Sequence, residues 1–255
     1  MRIDLNCDLG ESFGSFKVGH DAAIMPFITS ANVACGFHAG DPMIMAETVE
    51  LAKKNKVAVG AHPGFPDLLG FGRRDMGLSK KEVKNIMLYQ VGALQVFTRS
   101  IGIALQHVKP HGALYNATAK NEAYMEAIIE AVAALDPRPM LFAFAGSKMA
   151  GMAEDAGLRV AHEVFVDRAY NADGSLVTRS VSGAVIEDAR LVAERVVSMV
   201  KEKSIKAIDG KTVRFDQVHT VCLHGDTLNA VELVKAMKKA LLVANVEVVP
   251  VGTFL

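Results

Sequence analysis

HVKPHGALYN, residues 107–116, is the stretch that decides how this chain is read. A short apolar run, Ile103 to Leu105, leads into it and reads as a buried strand. Lys109, His111, Tyr115 and Asn116 follow at once, around Pro110 and Gly112, which end the strand and shape a loop. A cation, an imidazole and a phenol at a strand's exit suit a site better than a core. Other stretches end the same way.

Towards the N-terminus, RIDLNC (2–7) alternates apolar and polar residues as a first strand, with Asp8 and Glu11 in the loop beyond it. A second apolar segment, 25–34, ends in SANVACGFHAGD. Asp41-Pro42 predicts a helix start, Asp as N-cap and Pro at the first position, with the helix running to about Lys56. Residues 57–61 form a short buried strand. HPGFPDLLGFGRRD (62–75) is far longer than a strand-to-helix connection needs, and long loops are commonly functional. Ser79 and Glu82 make a capping box for a helix over 80–101. Towards the C-terminus, helices are expected around Met125–Leu135, from Ser147 to near Gly157, along Val185, Val192, Val196 and Val200, and along Leu228, Val231, Val234 and Leu241. Strands are expected at 140–145, 160–164, 218–223 and 246–249.

Strands alternating with helices, most of them continuous apolar runs, predict an α/β fold with a parallel sheet covered by helices. No linker or repeat divides the chain, so one domain over 1–255 is expected. A closed (β/α) barrel and a doubly wound open sheet both fit the seven or eight strands. Lys plus Arg and Asp plus Glu number 28 each, so no basic excess points to nucleic acid. No apolar run approaches the ~20 residues that span a bilayer, and the N-terminus lacks a signal-peptide pattern. Three distant cysteines, Cys7, Cys35 and Cys222, read as buried reduced thiols, and a cytoplasmic location is expected.

In a parallel barrel the active site forms at the C-terminal ends of the strands. Asp8, Asn32, His38, His62, Asp67, Lys109, His111, Glu163, Asp167, Arg168, His224 and Asp226 all sit at such ends. Imidazoles and carboxylates gathered on one rim can hold a divalent metal or transfer protons. Lys109 can stabilise a phosphate or a developing oxyanion. Asp8 is expected in a ligand or catalytic role, with three of His38, His62, His111 and His224. Asp226 is balanced between an N-cap and a site residue, and Arg73 and Arg74 between an anion clamp and a solvated loop tip. Tyr115 and Tyr170 have packing as their alternative. His20, His107, His162 and His219 lack a loop context and read as structural or surface residues. Phosphate-loop, dinucleotide, H-E-x-x-H, C-x-x-C and G-x-S-x-G motifs are absent.

LNCDLGESFG (5–14), SANVACGFHAGDP (30–42), GAHPGFPDLLGFGRRDM (60–76), HVKPHGALYN, EVFVDRAYNADGSLVTR (163–179) and CLHGD (222–226), in this order, resemble the motifs of the LamB/YcsF family, the A subunits of prokaryotic ATP-dependent 5-oxoprolinases. Val166 and Thr227 depart from the pattern without removing a reactive group. The resemblance implies a single irregular TIM-like (β/α)7 barrel related to deacetylases and glycoside hydrolases. It implies opening of 5-oxo-L-proline to L-glutamate with ATP as co-substrate and subunits B and C as partners. On that basis Asp8, Lys109, Glu163, Asp167 and Arg168 are the expected catalytic residues. Asn32, Arg73, Arg74, Tyr115, His224 and Asp226 are the expected substrate or phosphate contacts. Asp8, His38, His62 and His111 are the expected ligands of a divalent metal. A self-sufficient metal-dependent amidohydrolase or deacetylase and a non-catalytic scaffold are the alternatives.

Overall fold

The computed structural model describes residues 1–227 and 229–255. Its strands are β1 (Arg2–Leu9), β2 (Ser30–Ala34), β3 (Ala58–His62), β4 (Leu105–Val108), β5 (Met140–Phe144), β6 (Val160–Phe165), β7 (Ser204–Lys206), β8 (Thr212–Arg214), β9 (Thr220–His224) and β10 (Glu247–Val248). The α-helices are α1 (Asp21–Ile24), α2 (Pro42–Asn55), α3 (Lys80–Ser100), α4 (Gly112–Ala117), α5 (Glu122–Ala133), α6 (Lys148–Asp155), α7 (Ala189–Val197) and α8 (Ala230–Val243). Strands β1 to β6 and β9 pair in parallel, and β9 returns to β1, which closes a seven-stranded barrel. The short β10 adds to the lower end of β1, where Arg2 faces Glu247. The open-sheet alternative is thereby excluded.

The alternation in β1 has an unusual cause. Ile3, Leu5, Cys7 and Leu9 are buried, and so are Asp4, Asn6 and Asp8. The polar set lines the barrel interior: Thr29, Ser30 and Thr220 hydroxyls donate to Asp4, and Asn6 bonds Asn32, Thr220 and Glu163. The apolar core lies on the other side of the strands, where Val33, Val108, Leu141 and Val164 meet Met87, Leu94, Ile128 and Leu233 of the helices.

Local signals act as their chemistry requires. The Asp41 carboxylate accepts from the Met43 and Ile44 amides, and Ser79 with Glu82 forms the capping box. At two places the structure departs from the sequence reading, and at a third it decides an open one. Helix α7 begins at Ala189, with Asp188 as its cap; Val185 and Ile186 instead run extended against Arg168 and Asp167, and a π-turn over Ser198–Glu202 follows the helix. The antiparallel β7–β8 hairpin is absent from the sequence-based expectation, because three-residue strands carry too little periodicity. Asp226 is not a helix cap, since α8 starts at Ala230. Leu228, expected on the face of that helix, lies outside the described residues. No described helix is long and apolar enough to cross a membrane.

Candidate active site

Two centres meet at the C-terminal mouth of the barrel. The first is built around Lys109, which leaves β4 just before Pro110. Its ammonium lies 2.9 Å from Asp8 Oδ1, 3.0 Å from Glu163 Oε1, 3.2 Å from Asn6 Oδ1 and 3.0 Å from Cys222 Sγ. Lys109 is 1 % exposed. Burial alone would strip its proton, but Asp8 and Glu163 outweigh burial and hold its pKa well above the lysine range. Burial keeps Cys222 a thiol, so its sulfur serves as a neutral acceptor. Burial also opposes the Asp8 carboxylate, yet the neighbouring His62 ring and the Lys109 ammonium hold Asp8 well below the usual range. Tyr115 donates to Glu163 Oε2 at 3.0 Å and stacks on Phe144. Every polar atom of this centre except Asp8 Oδ2 is committed to a strong hydrogen bond; that oxygen lies 3.3 Å from His62 Nε2.

The second centre consists of Glu11, His38, His62 and His111, which each offer a ligand atom within 4.8 Å of the others. Backbone carbonyls set two of the imidazoles. Lys109 O lies 2.8 Å from His62 Nδ1, and Phe71 O lies 2.8 Å from His111 Nε2, so both of these nitrogens must donate. The opposite nitrogens, His62 Nε2 and His111 Nδ1, then face each other as lone pairs at 2.9 Å. Two acceptors do not sit at that distance without a cation between them, either a proton or a metal. Metal-binding histidines characteristically give their second N–H to a carbonyl in this way. Glu11 Oε1 adds a carboxylate 3.2 Å from His38 Nε2 and 3.5 Å from His111 Nδ1. His38 stacks on His111 at 3.6 Å, and its buried Nδ1 has no partner among the described residues. Burial and the neighbouring His62 push the pKa of His38 well down, and burial with Asp8 pushes that of Glu11 well up. The donor set fits a divalent cation. The carboxylate within this cluster is Glu11; Asp8, the expected fourth ligand, lies beside it, with Oδ2 3.3 Å from His62 Nε2 and Oδ1 held by Lys109 and Asn32.

The long loop after β3 covers this centre. Gly72, at φ +64°, passes so near that a Cβ there would stand 2.7 Å from His38 Cβ and 2.8 Å from His111 Cδ2. Gly72 O accepts from Ala113 N at 2.9 Å. Arg73 reaches across the mouth to Asp226 at 2.6 Å, whereas the exposed Arg74 turns to the buried Asp67 within the loop. Neither Asp67 nor Arg74 joins the two centres.

Asp167 and His224 form a neighbouring dyad. Asp167 Oδ2 lies 2.8 Å from His224 Nδ1 and accepts from the His224 amide at 3.0 Å. Asp167 stays ionised because His224 outweighs its burial, so His224 Nδ1 donates and Nε2 is left to exchange a proton. Arg168 does not face this dyad with its hydrogen bonds: Nη2 donates to Val177 O and Nε to Ala184 O, which ties down the following loop. Arg195 in turn holds the carbonyls of Val166 and Arg168.

Sequence reasoning brings Asp8, Asn32, His38, His62, Lys109, His111, Tyr115 and Glu163 to one place, and Asp167, His224, Arg73 and Asp226 to its border. It passes over Asn6, Glu11, His107 and Cys222. For Asn6 the available signal is a polar residue in register with Asp4 and Asp8, and for Glu11 a carboxylate at a glycine-rich strand exit.

The LamB/YcsF family model matches residues 3–255. Two proteins that carry the name of 5-oxoprolinase A subunits, from Thermococcus onnurineus and Pyrococcus horikoshii, are each 55 % identical to this chain over 255 residues, covering all of both proteins. The crystal structure of a lactam utilization protein from Thermus thermophilus superposes with a TM-score of 0.92 at 48 % identity, over 98 % of this chain and 99 % of that one.

Proposed function

The chain belongs to the LamB/YcsF family, and from that premise we propose that it is the A component of an ATP-dependent 5-oxoprolinase. The reaction opens 5-oxo-L-proline to L-glutamate while ATP becomes ADP and phosphate, with subunits B and C as partners and residues 1–255 acting as one cytoplasmic domain. The observation that carries the reading is the buried Lys109 ammonium held between Asp8 and Glu163. An unstrained lactam is a poor electrophile, and phosphorylation of its amide oxygen makes the ring carbon one that water can attack. Lys109, with Arg73 at the mouth, holds the phosphoryl group or the oxyanion that develops as water adds. Asp8 Oδ2, the spare acceptor, orients that water. A proton delivered to the ring nitrogen by His224, whose ring Asp167 holds, lets the C–N bond of that adduct break to leave the γ-glutamyl phosphate, and a second water hydrolyses this to glutamate and phosphate. Asn32 and Tyr115 fix the two carboxylates. A divalent cation on Glu11, His38, His62 and His111 would supply Lewis-acid polarisation beside the same carbonyl.

A second reading is favoured by the facing lone pairs of His62 and His111: a metal-dependent amidohydrolase that needs neither ATP nor partners. Glutamate release from 5-oxoproline separates the two. The protein alone should be silent, and the protein with subunits B and C and ATP should be active. Activity of the protein alone, without ATP and lost to a chelator, would establish the second reading instead. A pure scaffold predicts that Lys109→Met leaves turnover in the assembly unchanged.

A further inference from the structure

We infer that His107, at the bottom of the site, is a positioning residue that sets which face of the Asn32 amide is presented to Asp8, through a one-way hydrogen-bond relay that starts at the backbone of Gly252. The inference rests on the proposed catalytic use of Asp8. The relay begins with a group that can only donate: Gly252 N–H bonds Gln106 Oε1 at 3.1 Å. This turns Gln106 Nε2 towards Ser30 Oγ at 2.9 Å and His107 Nδ1 at 3.2 Å. His107 Nδ1 therefore accepts, its proton sits on Nε2, and Nε2 donates to Asn32 Oδ1 at 2.6 Å. The Asn32 amide nitrogen is left to donate to Asp8 Oδ1 at 2.8 Å and Asn6 Oδ1 at 2.7 Å. The far end agrees, since Lys109, also only a donor, bonds Asn6 Oδ1.

Two features of the backbone build this relay. Leu105 pairs with Val59 and His107 with Gly60, so Gln106 is the extra residue of a β-bulge. Bulges re-aim side chains, and this one lets the adjacent Gln106 and His107 contact each other and reach Ser30 and Asn32. Gly60 makes room for the ring: a Cβ there would lie 2.1 Å from His107 Nε2. His107 is fully buried and stacks on Phe142 at 3.9 Å, and burial keeps it neutral. The opposite tautomer would turn the Asn32 carbonyl onto Asp8 Oδ1, acceptor against acceptor.

The test combines nitrogen NMR of histidine-labelled protein with kinetics of the assembled enzyme. His107 should show the neutral Nε2–H tautomer across the range in which the protein is folded. His107→Phe keeps the stack and loses the donor. Its kcat should fall about 100-fold, the cost of a misplaced reacting group, with KM held within about threefold. His107→Gln, which restores an N–H donor, should recover most of that loss. Gln106→Glu places an acceptor opposite His107 Nδ1, so it should protonate or switch the His107 ring and lower kcat about tenfold. An Nδ1–H tautomer in the wild type, or a His107→Phe enzyme with wild-type kcat, overturns the inference. So does a His107→Gln enzyme no better than His107→Phe. A wild-type assembly that releases no glutamate overturns the proposed reaction instead, and the nitrogen spectra still decide the relay.

Discussion

The two centres at the barrel mouth share Asp8 and His62 as neighbours yet differ in how their polar atoms are satisfied. Around Lys109, donors and acceptors alternate: ammonium to carboxylate, amide to carboxylate, phenol to carboxylate. Around His62 and His111, lone pair faces lone pair, and His38 Nδ1 has no partner among the described residues. A complete network is rigid before any ligand arrives and can stabilise developing charge without reorganising. An incomplete one has donor atoms to spare for a cation. The mouth therefore joins a finished electrostatic device to one that a proton or a metal must finish.

The largest expected effect breaks the finished side. Lys109→Met leaves Asp8 and Glu163 buried without their cation, which should cost about 3–5 kcal/mol of folding free energy and abolish turnover in the assembly. Denaturant unfolding should show the loss, and adding Glu163→Gln to Lys109→Met should restore part of it. The next effect sharpens the unfinished side. His62→Ala and His111→Ala should each lower bound divalent metal, measured by elemental analysis after dialysis, while Asp8→Asn keeps the stoichiometry of the wild type. Equal loss in Asp8→Asn would move the carboxylate ligand from Glu11 to Asp8. Metal binding needs both imidazole nitrogens free of protons, so affinity should weaken as pH falls. Titration calorimetry in buffers of different ionisation enthalpy should detect the released proton.

The smallest effect lies below both centres. Burial pushes the Asp4 carboxyl up from 3.8 to about 6, against the pull of the Ser30 and Thr220 hydroxyls. A raised carboxyl binds its proton more tightly in the folded state. Its contribution is thus full below about pH 4 and lost as pH rises through about 6. Measured against Asp4→Asn, the wild type should lose a few degrees of Tm between those limits. A difference that is constant with pH would mean that Asp4 is ionised throughout.

The barrel is legible in the sequence because its strands are apolar on their helix-facing side and its helices carry explicit start signals, Asp41-Pro42 and Ser79 with Glu82. The rim is legible because residues such as Lys109, His62 and His224 sit where strands end, and a parallel sheet gathers those ends. Depth is not. Asn6 and His107 lie within strands, where a polar residue normally marks a solvent face; here it marks the inside of a closed barrel, which only closure reveals. Glu11 is visible, but nothing local shows that its loop returns beside His38. Arg168 and Arg74 adjoin functional neighbours in the chain, and their own hydrogen bonds run to Val177, Ala184 and Asp67. Adjacency in sequence says little about which way a long side chain leaves the backbone.

The loop that carries Gly72 has a kinetic consequence. It is pinned over the imidazoles by Phe71 O on His111, by Gly72 O on the Ala113 amide and by Arg73 on Asp226. None of Glu11, His38, His62 or His111 is more than 4 % exposed. Any molecule that reaches them waits for a local opening, and its apparent affinity is diluted by the fraction of time the loop is away. The Ala113 amide is the clock for that event. Its hydrogen is shielded only while the loop is down, so its exchange with deuterium counts openings directly, whatever passes through them.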